Sequence, residues 1–151
     1  MPNGTRLTAM LANQGIVEAL GGRRVVKAAT IDELRKRLRT GLPYAAFGTL
    51  AAGLGLDAAQ LAIVLDLSLR TLARRKAARR FRPDESDRIA RLARVVAHAR
   101  DVFGERDKLV AWLHSPNRVL GNEPPIQRLG TDLGAHTVDD LLLRIAHGVH
   151  S

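Results

Sequence analysis

The stretch between Leu56 and Arg82 constrains the fold more than any other part of the chain. Asp57 is suited to cap a short helix, AAQLAIVL, and Ser68 a second one, LRTLARRKAAR, with DLS as a tight turn between them. Four apolar residues of the first helix are expected to be mostly buried: Leu61, Ile63, Val64 and Leu65. Two short helices joined in this way are typical of a helix-turn-helix unit.

The small and apolar residues of this stretch fit that unit. Ala62 provides a small side chain where the two helices would approach each other, and Asp66 begins the turn. Four leucines would hold the two helices together: Leu61, Leu65, Leu67 and Leu72. Two positions depart from the usual pattern, since Asp66 stands where glycine is common and Arg75 stands where an apolar anchor is common.

The second helix would enter the major groove of DNA by its N-terminal end. Arginine pairs bidentately with guanine and short hydroxyls reach several partners, so four residues are candidates for base contacts: Ser68, Arg70, Thr71 and Arg74. Five further cations are expected to hold phosphates: Arg75, Lys76, Arg79, Arg80 and Arg82. The residues leave one alternative open, a basic face that is structural or that binds an acidic protein.

The formal net charge of +9 is concentrated in one segment. Residues 70–100 carry 11 basic and 3 acidic side chains, residues 1–69 carry 8 and 5, and residues 101–151 carry 5 and 7. A clustered excess behind a turn is the pattern expected of a surface that contacts phosphates. The charge changes sign near residue 104, which favours a division of the chain at that point.

The composition favours helices throughout. Aromatic residues make up 3% of the chain, so the core must consist mainly of Leu, Ala, Val and Ile. Thr30 and Glu33 have the spacing of a capping box, which predicts a helix that ends at Gly41. The predicted fold class is all-α, with an N-terminal helix-turn-helix domain followed by a small helical domain.

Three further helices are predicted in the second half of the chain, and the middle one covers residues 105–115. Pro83 is expected to open the longest helix, which Gly104 ends. Thr137 is expected to start the last helix, with Asp139 and Asp140 in its first turn.

Several function classes are disfavoured. The chain has no cysteine, its five histidines lack a metal-ligand spacing, and no glycine-rich phosphate loop or nucleophile elbow is present. We therefore expect neither an enzyme nor a cofactor or metal site. No apolar run has the length of a membrane span and no secretory signal is evident, so a cytoplasmic location is expected.

Six blocks of the sequence point to a known family. They are GLP at 41–43, SLRTLARRK at 68–76, ESDRIARLARV at 85–95, VFG at 102–104, AWLHSPNRVLGNEPP at 111–125 and LLLRIAHGV at 141–149. Together they resemble the Xre/MbcA/ParS family of antitoxins over roughly residues 30–151. The most specific blocks, WL..PN..LG and RI.HGV, are not shared by generic helix-turn-helix repressors.

The resemblance implies an antitoxin that partners a nearby-encoded RES-domain toxin, of an enzyme family associated with NAD degradation. Such antitoxins typically dimerise, block the toxin through a C-terminal domain and repress their own operon. The implied toxin-facing residues are Trp112, Leu113, Asn117, Leu120, Gly121, Pro124, Arg144, His147, Val149, His150 and Ser151. Asn122 and Glu123 depart from the family pattern, in which a second glycine and a Thr or Ser are common.

The resulting hypothesis divides the chain into three parts. Residues 1–29 would be an arm that is flexible or used at an interface, residues 30–104 a helix-turn-helix domain with its long following helix, and residues 105–151 a toxin-binding domain. The protein would be an antitoxin and autorepressor that binds operator DNA, forms a homodimer and assembles with its toxin into a larger complex. The alternatives are a stand-alone transcriptional regulator, whose C-terminal domain dimerises or senses a ligand, and an adaptor that does not bind DNA.

Overall fold

The computed structural model describes residues 14–148, and the elements in this range are helices. Helical residues 14–19 form α1. The other α-helices are α2 (Arg23–Val26), α3 (Ile31–Thr40), α4 (Ala45–Gly53), α5 (Ala58–Val64), α6 (Leu69–Ala78), α7 (Pro83–Phe103), α8 (Arg106–His114) and α9 (Asp132–Ala146). Two short 3-10 helices, Arg118–Leu120 and Pro125–Arg128, lie between α8 and α9. The predicted all-α class is confirmed.

The central element is α7, which contacts α3, α4, α8 and α9. It begins with Pro83 as its first residue and ends before Gly104, as predicted. One face of the helix is fully buried, through Ile89, Leu92, Val95, Val96 and Ala99. Because helices from both halves of the sequence pack on α7, a single hydrophobic core runs through the described residues.

The segment that precedes α3 belongs to this core. Five of its apolar side chains are at most 5% exposed: Val17, Ala19, Leu20, Val26 and Ala28. Within residues 14–29 the predicted arm is therefore a packed layer, because these apolar residues face the helices behind it. Residues 1–13 of the arm lie outside the described residues.

The N-caps of α3 and α5 are those that the sequence predicts. Thr30 Oγ1 accepts a hydrogen bond from the Glu33 N–H at 3.1 Å, and the Glu33 carboxylate accepts one from the Ala29 N–H at 2.6 Å. Asp57 and Gln60 form a reciprocal capping box, with bonds of 2.8 and 2.9 Å. An N-cap of this kind stabilises a helix by about 1 kcal/mol. The starts of both helices are thus determined locally.

Helices α4 and α5 meet at an angle of 87°. Phe47 and Leu50 of α4 and Leu54 at its C-cap are at most 1% exposed. Within residues 14–148 no single helix has the length and hydropathy of a membrane span, and α4 and α5 reach them only as a bent pair.

The last helix begins earlier than predicted. Thr131 is its N-cap, with Oγ1 accepting a hydrogen bond from the Gly134 N–H at 3.0 Å, and the predicted start at Thr137 is wrong. Gly134 weakens the helix signal in the sequence, but a Cβ at this position would overlap the backbone of the preceding 3-10 helix. The close packing requires glycine, and the predicted first-turn placement of Asp139 and Asp140 is also wrong because both lie in the middle of α9.

Candidate functional site

The helix-turn-helix consists of α5, a tight turn and α6. The turn follows the Schellman pattern, in which the Leu67 N–H donates to the Ala62 carbonyl at 2.8 Å and the Asp66 N–H to the Ile63 carbonyl at 3.1 Å. Asp66 has a φ of 54°, the left-handed conformation that glycine adopts most easily and that Asp tolerates better than most residues. The turn therefore forms although the usual glycine is absent.

The residues predicted to hold α5 and α6 together are buried, whereas one other residue of α5 that is predicted to be buried is exposed. Five residues of the pair are at most 8% exposed: Leu61, Ala62, Leu65, Leu67 and Leu72. The predicted burial of Ile63 is wrong, because its side chain is 78% exposed. It lies two residues after Leu61, so the helical repeat turns it to the opposite face of α5.

The four candidates for base contacts lie between the N-cap and the middle of α6. The Ser68 Oγ accepts a hydrogen bond from the Thr71 N–H at 3.0 Å, and its hydroxyl donates to Thr71 Oγ1 at 3.0 Å. Arg70 and Arg74 are exposed and take part in no ion pair with any described residue. The helix thus presents two unpaired guanidinium groups one turn apart, beside two hydroxyls that are already engaged in capping.

Arg75 is placed differently from the other cations of α6. It is 14% exposed, and its Nε donates to Glu85 Oε1 at 2.6 Å. Glu85 is 4% exposed and also accepts a hydrogen bond from the Arg82 N–H at 2.8 Å. The ion pair occupies the position of the usual apolar anchor and joins α6 to α7.

The pKa values of this pair reflect the same contacts. Burial alone would raise the pKa of the Glu85 carboxyl, but the hydrogen bonds from Arg75 and the Arg82 N–H outweigh it and hold the pKa below its ordinary value. The hydrogen bond to Glu85 raises the pKa of the Arg75 guanidinium. Both groups are therefore charged at neutral pH.

The remaining predicted phosphate contacts are exposed: Lys76, Arg79, Arg80 and Arg82. Arg79 ends α6 with a φ of 62°. The chain then runs antiparallel to the segment before α4, since the Tyr44 N–H donates to the Arg79 carbonyl at 3.0 Å and the Phe81 N–H to the Leu42 carbonyl at 2.9 Å. This pairing brings Arg79 and Arg80 close to the end of α3.

The arginines of α7 contribute less to the basic surface than their number indicates. Arg88 donates to the Leu65 carbonyl at 2.7 Å, Arg91 pairs with Asp132 at 3.0 Å, and Arg94 pairs with Asp139 at 3.1 Å. These side chains link α7 to the turn of the helix-turn-helix and to α9. The charge counted over residues 70–100 is therefore only partly available to an external partner.

Three of the predicted toxin-facing residues belong mainly to the core. Leu113 and Leu120 are 0% and 2% exposed. Trp112 is half-buried, with its ring centroid 5.3 Å from that of Phe103. Contacts of these residues with a partner would be limited to the exposed part of Trp112.

The loop after α8 is held by its own backbone. The Asn117 side chain accepts a hydrogen bond from the Val119 N–H at 3.0 Å, and the Asn117 N–H donates to the Glu123 carbonyl at 3.2 Å. Gly121 and Asn122 are consecutive left-handed residues with φ values of 66° and 64°. The loop therefore presents its tip, including Gly121, to solvent.

The structure explains both departures from the family pattern in this loop. Asn122 adopts the left-handed conformation that a glycine would adopt, and asparagine is among the residues that best tolerate it. Glu123 pairs with Arg128 Nε at 2.8 Å, and Arg128 also donates to the Leu120 carbonyl at 3.0 Å. The predicted contact Pro124 follows directly and is half-buried.

The predicted tail contacts begin at the end of α9. Arg144 and His147 are exposed, whereas Ile145 between them is half-buried and packs against the core. Val149, His150 and Ser151 lie outside the described residues. The part of the tail that the structure describes thus offers two exposed basic groups beside one anchoring residue.

One polar cluster between α7 and α9 goes beyond the sequence predictions. Asp139 is 6% exposed, and its two oxygens accept hydrogen bonds from Arg94 at 3.1 Å and from His98 Nδ1 at 2.9 Å. The hydrogen bond to Asp139 raises the pKa of His98, and partial burial lowers it by less. A correct start for α9 would have placed Asp139 beside the buried Val138 and Leu142. Across residues 14–148 no group of three or more metal-binding side chains comes together.

Comparison with known proteins identifies both halves of the chain. Residues 33–94 match the model of the antitoxin Xre-like helix-turn-helix domain, and residues 98–148 match that of the antitoxin Xre/MbcA/ParS C-terminal toxin-binding domain. Two proteins named antitoxin Xre are similar. The one from Yersinia enterocolitica is 45% identical over 73 residues, covering 48% of this chain and 49% of the relative. The one from Photorhabdus laumondii is 41% identical over 90 residues, covering 58% and 61%.

A solved structure supports the same relationship. A chain in the crystal structure of the M. tuberculosis MbcT-MbcA toxin-antitoxin complex is similar with a TM-score of 0.52 and 30% sequence identity. The match covers 67% of this chain and 90% of that chain. The present chain spans only about half the length of the curated relatives it matches.

Proposed function

This chain belongs to the Xre/MbcA/ParS antitoxin family, and we propose that it is the antitoxin of a type II toxin-antitoxin system with a RES-domain, NAD-degrading toxin. Its C-terminal third occludes the active site of the toxin, and its helix-turn-helix binds operator DNA to repress the operon. The observation that carries the proposal is the match of residues 98–148 to a toxin-binding domain directly after a helix-turn-helix match.

The unpaired arginines of α6 support the DNA-binding part. Arg70 and Arg74 are exposed on the part of α6 that would enter the major groove, and no carboxylate within residues 14–148 pairs with either of them. Arginine pairs bidentately with guanine, and a guanidinium group that has no intramolecular ion pair can do so without breaking one. These two residues are accordingly the proposed base readers, with Ser68 and Thr71 shaping the start of the helix.

The test of DNA binding uses a fluorescent duplex from the region upstream of the gene and a scrambled duplex of equal length. Arg70→Ala and Arg74→Ala are each expected to weaken binding to the upstream duplex by about 1 to 3 kcal/mol and to reduce discrimination between the duplexes. Lys108→Ala is the matched control, since Lys108 is an exposed cation on α8. Equal affinity of wild type and both arginine variants would contradict the assignment.

Charge and exposure support the toxin-binding part. Residues 101–151 carry 5 basic and 7 acidic side chains, so this C-terminal third can approach a basic nucleotide-binding cleft without net repulsion. The exposed members of the proposed contact set, Gly121, Arg144 and His147, lie on the loop tip and on the end of α9. The buried members, Leu113 and Leu120, belong to the hydrophobic core.

The tail provides the sharpest test of toxin inhibition. Deleting residues 147–151 removes the tail that is proposed to block the active site of the toxin. Ile145 stays packed against the core, so the domain keeps its packing. The rate of NAD consumption by the RES-domain protein encoded by the neighbouring gene would be measured in the presence of the full chain and of the truncated chain. The truncated chain should need at least about tenfold more protein for the same inhibition, equivalent to ~1.4 kcal/mol. DNA binding should persist, and undiminished inhibition would contradict the role of the tail.

A further inference from the structure

A second group of cations lies before the helix-turn-helix. Residues 23–40, which include α2 and α3, carry seven basic and two acidic side chains. The two acidic residues, Asp32 and Glu33, are in the first turn of α3, whereas the basic residues Arg37 and Arg39 are in its last turn. The positive charge of α3 is thus concentrated at the end that faces the segment before α4.

The fold brings this end of α3 against the end of α6. Residues 42–44 pair with residues 79–81 through the antiparallel bridge of Pro43 and Arg80. The chain can pass this closely because Gly41 has a φ of 101° and no side chain, where a Cβ would overlap the Phe81 carbonyl oxygen. Cations that lie some 40 residues apart in the sequence therefore become neighbours.

These cations surround a small open cavity of about 170 Å³. Four of its lining residues are basic and none is acidic; the basic ones are Lys27, Arg37, Arg79 and Arg80. None of the four takes part in an ion pair within residues 14–148, in contrast to Arg75 and the three paired arginines of α7. We call these four residues the α3–α6 cationic patch.

The backbone holds the patch in place. Lys27 ends α2 in the left-handed conformation, with a φ of 55°, and its carbonyl accepts a hydrogen bond from Arg37 Nε at 3.3 Å. Arg80 Nη1 lies 3.5 Å from the Thr40 carbonyl, at the end of α3. Like charges converge here at a cost in repulsion that an anion would relieve.

We propose that the α3–α6 cationic patch binds the DNA backbone phosphates that flank the major groove entered by α6. This inference rests on the DNA-binding function proposed above. Arg79 lies nine residues beyond Arg70, which is about 14 Å along a helix. The major groove is about 12 Å wide, so a cation at that distance from the base-reading end lies at the level of the flanking sugar-phosphate strand. Lys27 and Arg37 extend this contact to a part of the chain outside the helix-turn-helix.

The test compares two variants that remove positive charge from α3 and from the end of α2. Lys27→Gln with Arg37→Gln removes two cations of the patch and leaves a neutral polar side chain at each position. Arg35→Gln is the matched control, because Arg35 is also on α3 but lines a separate cleft with Ile31 and Leu34. Affinity for the upstream duplex and for the scrambled duplex would be measured by anisotropy from low to high salt, and thermal unfolding would confirm that all variants fold.

Binding to phosphates has a specific signature. The double variant should weaken binding to both duplexes by the same factor, and the slope of log affinity against log salt should fall by about 0.9 for each phosphate that is no longer neutralised. The control should keep the wild-type slope. A slope equal to that of the control would overturn the proposal, as would a weakening restricted to the upstream duplex, which would indicate base reading, or a defect in toxin binding alone.

The two levels of the proposal fail in different ways. If the wild type binds neither duplex, the DNA-binding function fails and the patch proposal fails with it. If Arg70→Ala and Arg74→Ala reduce discrimination while the double variant behaves like Arg35→Gln, only the patch proposal fails.

Discussion

Two groups of arginines in this protein are close in sequence but have different roles. On α7, Arg88, Arg91 and Arg94 donate to carbonyl or carboxylate oxygens of neighbouring elements. On α6, Arg70 and Arg74 are exposed and have no ionic partner within residues 14–148. The first group holds the helices together, and the second group is available to an external anion.

The difference lies in what each helix faces. One side of α7 faces the core and its flanks face α5 and α9, so its arginines meet Asp132, Asp139 and the open carbonyl at the end of α5. The solvent side of α6 contacts no other element within residues 14–148. Arg75 lies on a different side of the helix, where it pairs with Glu85 of α7. A count of basic residues along the chain therefore overestimates a binding surface wherever the helix is surrounded by others.

The largest effect on stability is expected when the Arg75–Glu85 ion pair between α6 and α7 is broken. Glu85→Ala removes a carboxylate that is 4% exposed and leaves Arg75 and the Arg82 N–H without their acceptor. We expect a decrease of about 3 kcal/mol in the free energy of unfolding, measured by urea titration. Asp84→Ala is the matched control, since Asp84 is the preceding residue, 74% exposed, and lies 3.6 Å from Arg88. Its effect should stay within about 0.5 kcal/mol.

Two further measurements sharpen this comparison. Arg75→Ala should lower the free energy of unfolding by less in the Glu85→Ala background than in the wild type, because the two residues act as a pair.

The pair should also make the free energy of unfolding depend on pH, because folding lowers the pKa of Glu85. The stabilisation by Glu85 is present above the ordinary carboxyl pKa of about 4.3, and it is lost as the pH falls through the folded-state pKa. Additive costs and a pH-independent contribution would show that Arg75 is not used structurally.

The second effect concerns the contact between α7 and α9. Asp139→Ala removes the shared acceptor of Arg94 and His98. Because those two partners are 42% and 35% exposed and can regain water, the expected decrease in the free energy of unfolding is about 2 kcal/mol, smaller than that for Glu85. Asp140→Ala is the neighbouring control, at a residue that is 56% exposed. Equal decreases for the two variants would mean that Arg94 of α7 is no more structural than the unpaired Arg70 and Arg74 of α6.

Much of the fold could be predicted because its signals are local. Thr30, Asp57 and Ser68 each sit three residues before the N–H that they cap, and Pro83 and Gly104 delimit the longest helix. Each of these signals acts over less than two turns of chain. The turn also forms as predicted with Asp66, because a left-handed aspartate replaces glycine at a modest cost.

The wrong predictions concern places where contacts distant in sequence decide the outcome. Ile63 stands in a continuous apolar run, which does not reveal the phase of a short helix. The start of α9 depends on close packing at Gly134, where local propensity argues against a helix. The charge of residues 23–40 is hidden by averaging over residues 1–69, and only the pairing of residues 42–44 with 79–81 brings it beside α6.

The smallest expected effect is the pH dependence of stability that arises from the same contact between α7 and α9. His98 lies among Asp139, Arg94 and Asp101, and the hydrogen bond to Asp139 raises its pKa above the ordinary value. Its contribution to stability is therefore fully present below the unfolded-state pKa of about 6.5 and is lost as the pH rises through the folded-state pKa.

The unfolding temperature of the wild type should accordingly fall over this range by more than that of His98→Gln, so that the difference between the two proteins narrows as the pH rises. His136→Gln is the control, because His136 is 69% exposed and lies 3.8 Å from Asp140. Since the His98 side chain is 35% exposed, the effect should be smaller than that of Asp139→Ala. A difference between wild type and His98→Gln that stays constant with pH would show that the charge on His98 does not contribute, and Arg94 would then be the only ionic partner of Asp139 in this contact.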